Sequence, residues 1–191
     1  MEVAAALLAA GVQIIQLRDK QAPSGELYMR AEAVGACIRK AKGTFIVNDR
    51  ADVALAVEAA GVHVGQEDLP VESARAILGP AKVIGYSTHV LEQVEEADQG
   101  SADYIAFGPI FPTTSKANPD AVVGLAGLRE ARKATRKPLV AIGGITLENA
   151  RAVMEAGADS VAVIRSLVGA PDIRKRAEEF LDLLSATPGS Q

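Results

Sequence analysis

One pattern recurs along this chain and narrows its fold more than any other feature. An apolar helix end is followed by a glycine, and a β-branched strand starts two or three residues later. It reads AAGV at 9–12, AAGV again at 59–62 and EAGADSV at 155–161. Glycine just past a helix adopts positive φ cheaply, so each copy is read as helix end, turn and strand start. Repeated units of this kind imply a parallel sheet, because successive parallel strands need a crossover helix between them. Seven short runs qualify as strands: 12–18, 44–49, 62–65, 82–87, 103–108, 138–144 and 160–166. Most are apolar without strict alternation, as strands covered on both faces should be. Helical stripes fall between or after them, such as Ala150, Val153, Met154 and Gly157, or Ile173, Ala177, Phe180, Leu181 and Leu184.

The repeat predicts an α/β fold, a (β/α)8 TIM barrel in one domain over residues 1–185, with a C-terminal tail at 186–191. A closed barrel of this class has eight strands. Seven are read here, preceded by a helix over about residues 2–10. The expectation is therefore that the barrel's first strand lies N-terminal to Met1 and is missing from this chain, which exposes two strand edges. With 4% aromatic residues and no tryptophan, the core must be built from Ala, Val, Ile and Leu.

A net charge of −4 argues against a general nucleic-acid or anionic-membrane surface, so any phosphate chemistry has to come from local clusters. The lone Cys37 excludes an internal disulfide and fits the cytoplasm. It shares a helical stripe with Leu27, Ala31, Val34 and Ile38, which reads as buried filler. No apolar run approaches the ~18 residues of a membrane span. The N-terminal MEVAAALLAAG lacks the basic start of a signal peptide. The oligomeric state is left open, a homo-oligomer included.

In a (β/α)8 barrel the active site lies at the C-terminal strand ends, and polar residues crowd there. Gln16, Arg18, Asp19 and Lys20 end the first run, Asn48 and Asp49 the second, and Gln66, Glu67 and Asp68 follow the third. Tyr86, Ser87, Thr88 and His89 end the fourth, and the fifth opens a loop carrying Thr113, Thr114, Ser115 and Lys116. Gly143–Gly144 with Thr146, and then Arg165–Ser166, end the last two.

Arg18, Lys20 and Lys116 can reach phosphate oxygens. Asp49 and Asp68 suit a Mg²⁺ that takes its remaining ligands from water and a diphosphate. Gly143–Gly144 ahead of a helix makes a second anion site from backbone N–H groups. Two phosphorylated substrates follow, the metal-bound one carrying a diphosphate. Each feature has a plainer reading. The two aspartates could be helix caps, the cations solvated, and the glycine pair a tight turn. His63 reads as a hydrogen-bonded core residue, and His89, at a helix start, as structural.

Six segments in order, QLRDK (16–20), ND (48–49), GVHVGQEDLP (61–70), GYSTH (85–89), FGPIFPTTSK (107–116) and AIGGIT (141–146), resemble thiamine-phosphate synthase. The resemblance runs from about residue 10 to residue 170. It implies an enzyme that joins 4-amino-2-methyl-5-pyrimidinylmethyl diphosphate to a thiazole phosphate, giving thiamine phosphate and pyrophosphate. The implied route is dissociative, through a carbocation, with Mg²⁺ required. Carried over by position, Gln16, Arg18, Lys20 and Asn48 hold the pyrimidine diphosphate, Asp49 and Asp68 bind Mg²⁺, and Ser87 sits by the pyrimidine. Lys116 reaches the departing pyrophosphate. Thr113 and Ser115, with Gly144 and the Ile164–Arg165 backbone, bind the thiazole phosphate. Catalysis would rest on Lys116, Arg18 and Ser87.

The loop at 109–120 is expected to close over the site. Arg165 stands where the family often has a small residue. A sister thiazole tautomerase is the nearest alternative, but it would carry a histidine in the loop after 103–108, where this chain has none. The other alternative is a non-catalytic paralogue that binds thiamine precursors, against which the presence of Asp49, Asp68 and Lys116 counts.

Overall fold

Helix and strand alternate through the residues that the computed structural model describes, 1–113 and 120–185. They group into two units, Met1–Gly85 and Tyr86–Gln191. The first unit runs α1 (Glu2–Ala9), β1 (Ile14–Leu17), α2 (Ser24–Lys40), β2 (Thr44–Asn48), α3 (Ala51–Ala56), β3 (Gly61–Val64) and α4 (Val71–Leu78). Strand β4 (Val83–Thr88) begins in it and ends in the second unit. Strand β2 pairs in parallel with β1, Ile15 facing Phe45, and with β3, Ile46 facing Gly61. Phe45, Ile46, Val47, Val62 and Val64 are buried along these strands, with Ile38 from α2 buried as well. That is the two-sided burial their unbroken apolar runs require.

The glycine of the repeat does not do one job throughout. Gly11 and Gly157 follow helices with φ of 98° and 108°, as expected of a C′ glycine. In the middle copy the left-handed residue is Glu58, with φ of 54°. Gly61 is instead the first residue of β3, where an added Cβ would lie 1.9 Å from the Val83 carbonyl oxygen. Glycine is there for close approach of the backbones.

The second unit continues with α5 (Leu91–Gln99), β5 (Tyr104–Phe107), α6 (Gly124–Ala134), β6 (Leu139–Ile142), α7 (Leu147–Glu155), β7 (Ser160–Ala162), α8 (Arg165–Val168) and α9 (Ile173–Ser185). Strand β6 pairs in parallel with β5 and β7. Ile105, Phe107, Ile110, Leu128, Leu139, Ala141, Val153 and Phe180 form its core. Asp98, near the end of α5, accepts hydrogen bonds from the Thr135 hydroxyl and the Arg136 N–H. That contact ties α5 to the turn after α6.

Three expectations are corrected. The run 160–166 is a strand only to Ala162, and Arg165 opens a short helix instead of ending a strand. Cys37 is half-buried, while Leu27, Ala31 and Ile38 of its stripe are buried. From the stripe of α9, Ala177 and Phe180 are buried whereas Leu181 and Leu184 are half-buried. Among the described residues strand β1 pairs only with β2 and β7 only with β6, and Ile14 on β1 is 65% exposed. Among the described residues no helix is long and apolar enough to cross a membrane.

Candidate functional site

In the first unit most of the candidate side chains stand at or just beyond the ends of strands. Asn48 closes β2, is only 9% exposed, and makes no side-chain hydrogen bond among the described residues. Asp49 follows with φ of 65°, a left-handed turn that takes the chain from β2 towards α3. Its Oδ2 lies 3.0 Å from Lys20 Nζ, and its carboxyl is hydrogen-bonded to that of Asp68. Asp68 sits in the turn after β3, where its Oδ2 accepts the Gly65 N–H at 2.8 Å.

The cap reading fails for both aspartates, since the residues at the N-caps of α3 and α4 are Arg50 and Pro70. Burial and the hydrogen bond with Asp68 push the Asp49 carboxyl above its ordinary range, against the pull of Lys20. At Asp68 burial acts upward too. It is outweighed by the Asp49 hydrogen bond, the Gly65 N–H and the positive charge of Lys20 and His63, so Asp68 lies below its ordinary range. Two carboxyls thus act on each other beside a lysine, an arrangement in which a divalent cation could be held between them. Arg18, one residue beyond β1, is half-buried and has no hydrogen bond or ion pair among the described residues. Gln16 is exposed within β1.

In the second unit a second candidate cluster is built largely from backbone. Gly143 and Gly144, with φ of 88° and 66°, turn the chain from β6 into α7. An added Cβ would lie 2.4 Å from Pro109 Cβ at the first and 2.6 Å from the Pro112 oxygen at the second. These glycines therefore seat the segment after β5. That segment is held by Ile110 N–H donating to the Ile142 carbonyl at 2.9 Å and Phe111 N–H donating to the Gly143 carbonyl at 3.1 Å. Asn149 fixes the turn from the other side. Its Oδ1 accepts the Thr146 N–H at 2.9 Å and its Nδ2 donates to the Gly144 carbonyl at 3.0 Å. Thr113, half-buried, comes directly after the seated segment. Ser87 is buried at the end of β4. Ile164 precedes α8 and is 49% exposed, and Arg165, its first residue, is exposed too.

Comparison with known proteins shows the family of the chain that carries these two clusters. The family model for thiamine monophosphate synthase matches residues 1–167. The chain belongs to the thiamine monophosphate synthase family. A thiamine-phosphate synthase of Koribacter versatilis is 52% identical, over 93% of this chain and 83% of that protein. One of Moorella thermoacetica is 44% identical, over 99% of this chain and 90% of that protein. The solved thiamine phosphate pyrophosphorylase of Pyrococcus furiosus superposes with a TM-score of 0.91 at 41% identity, over 98% of this chain and 90% of that one. The α/β TIM-barrel class expected from the repeat is borne out by that match.

Of the residues expected from the likeness to thiamine monophosphate synthases, the structure brings Lys20, Asp49 and Asp68 into contact and sets Asn48 beside Asp49 in the chain. Gly144 is packed against Phe111 and Pro112, directly ahead of Thr113. Ser115 and Lys116 lie outside the described residues. Two histidines do more than the sequence suggested. His63 is buried, as expected of a core residue, and is also one of the groups that hold the Asp68 carboxyl low. His89 contacts both ends of the segment after β5, at Gly108 and at Asp120. Its position two residues after Ser87, at the end of an apolar strand, was the available signal.

Proposed function

We propose that this chain is a thiamine-phosphate synthase that joins a pyrimidinylmethyl diphosphate to a thiazole phosphate in the cytoplasm. The observation that carries the reading is the carboxyl pair Asp49–Asp68 with Lys20 at 3.0 Å from Asp49, at strand ends that also carry Arg18 and Asn48. Asp49 and Asp68 would hold Mg²⁺, which when bound neutralises charge on the diphosphate and makes it a better leaving group. Gln16, Arg18, Lys20 and Asn48 bind that diphosphate, and Ser87 positions the pyrimidine.

The C–O bond between the pyrimidinylmethyl carbon and the diphosphate breaks, and pyrophosphate leaves with the electron pair. Arg18 and Lys116 stabilise the charge that develops on it. The thiazole nitrogen then donates its lone pair to the resulting carbocation and forms the new C–N bond. Thr113, Ser115, Gly144 and the Ile164–Arg165 backbone hold the thiazole phosphate so that this nitrogen, and not water, meets the cation. No general base is needed.

The test is formation of thiamine phosphate from the two substrates, with and without a chelator. Turnover that disappears on chelation and returns with Mg²⁺ supports both the reaction and its metal. Folded protein that makes no product under either condition overturns the reading. Lys116→Ala is expected to lower kcat by about 100-fold, the order seen when one donor to a developing anion is removed. Near-full turnover would remove Lys116 from the mechanism.

A further inference from the structure

His89 lies just after β4 and takes no part in the chemistry above. Its side chain is 12% exposed, and both ring nitrogens are engaged. Nδ1 lies 2.5 Å from the Gly108 carbonyl oxygen. A carbonyl only accepts, so Nδ1 carries the proton and donates. Nε2 lies 3.3 Å from Asp120 Oδ2, and when the ring bears its second proton this is a charge-assisted contact. The His89 N–H donates to Gln93 Oε1 at 2.7 Å, which fixes the residue to α5.

Its two partners flank one segment. Gly108 starts the stretch that is laddered onto Ile142 and Gly143, and its own N–H donates to the Thr88 carbonyl at 3.2 Å. At the return, the Val123 N–H donates to the Pro109 carbonyl at 2.9 Å, and Asp120 stands three residues before Val123. A shift at Gly108 would therefore move Ile110 and Phe111 along Gly143–Gly144 and carry Thr113 with them. We propose that His89 is a positioning residue for the thiazole phosphate site: by holding the Gly108 carbonyl, and Asp120 beyond it, His89 sets how the 109–113 segment lies on Gly143–Gly144. This rests on the synthase reading for the identity of the ligand. It assigns His89 no contact with either substrate.

The role separates from plain structural support by which substrate suffers. In His89→Ala, KM for the thiazole phosphate should rise about tenfold, the scale of a small misplacement in a binding site, with KM for the pyrimidine diphosphate within about twofold of wild type. Two conservative variants divide the contacts. His89→Asn puts an N–H donor where Nδ1 was and should bring the thiazole phosphate KM back to within about threefold. His89→Gln reaches only towards Asp120 and should behave like alanine.

Thermal melts of each variant show that folded protein is being compared, and if alanine does not fold, the Asn–Gln pair carries the comparison. Calorimetric titration with thiazole phosphate alone reads the same effect without turnover, so a failure of the synthase reading is distinguishable from a failure of this one. Equal rises in both KM values would overturn the proposal. So would a fall in Tm with unchanged thiazole phosphate affinity, or an Asn variant no better than Ala.

Discussion

Asp49 combines two unfavourable conditions, a left-handed backbone at φ of 65° and a half-buried carboxyl facing a second one. Each is a cost that asparagine would lower. Asparagine tolerates that backbone region well, and its neutral amide can donate to Asp68. The lost contact with Lys20, whose side chain is 49% exposed, is worth little in solvent. Asp49→Asn should therefore stabilise the metal-free protein at neutral pH by about 1 kcal/mol, in the usual range for relief of a site kept for function. Product formation should fall by about 100-fold with one of the proposed metal-binding side chains neutralised. Urea denaturation in chelator and the synthase assay read the two effects. A variant less stable than wild type would mean that the Lys20 contact outweighs the cost of the acid pair. Asp49 and Asp68 were legible because carboxylates that end apolar strands stand out in a sequence. His89 was not, because its partners lie one βα unit further along, and only the folded chain brings them to its ring.

Between elements, the repeat specifies the alternation of helix and strand and says less about local conformation. Its glycines at 11 and 157 do adopt positive φ, but the middle copy moves that strain to Glu58 and uses Gly61 for backbone contact with Val83. The two roles have the same sequence signature, since both simply require that no Cβ be present. The strand at 160–166 was overextended for a similar reason. Val-Ile-Arg-Ser continues the β-branched pattern, yet the chain turns at Ile164 into α8. Glu58 is exposed and occupies a region that costs a side-chain-bearing residue about 1 kcal/mol. Glu58→Gly should recover about half of that, the remainder being offset by the greater freedom of glycine in the unfolded chain. A small rise in the urea midpoint with unchanged slope is the expected outcome. A fall would show that the α3–β3 connection depends on the side chain at 58.

At the scale of the whole molecule, the carboxylates divide into two groups that pull stability in opposite directions with pH. Asp19 is held low by the Gln21 and Ala22 N–H groups, Asp52 by Arg50, Asp98 by Thr135 and Glu148 by Thr146. A carboxyl lowered on folding contributes stability that is present above its ordinary pKa and lost as pH falls through its folded value. Asp49 has the opposite sign. Its contribution is complete below the ordinary value of 3.8 and is lost as pH rises through its raised folded value.

Metal-free protein should accordingly be most stable at mildly acid pH, falling steeply on the acid side and gently towards neutrality. Mg²⁺ would change only the second limb. Bound at the ionised pair, it would stabilise the folded state by mass action, and would do so more strongly as pH rises. Thermal melts across pH, with and without Mg²⁺, should therefore diverge on the neutral side and coincide on the acid side. In Asp49→Asn the gentle neutral fall should disappear and the effect of Mg²⁺ should shrink with it. Melts of wild type that Mg²⁺ leaves unchanged at every pH would show that the acid pair is not where the metal binds. Lys20, in contact with Asp49, would then have to serve the diphosphate without a cation held by the protein.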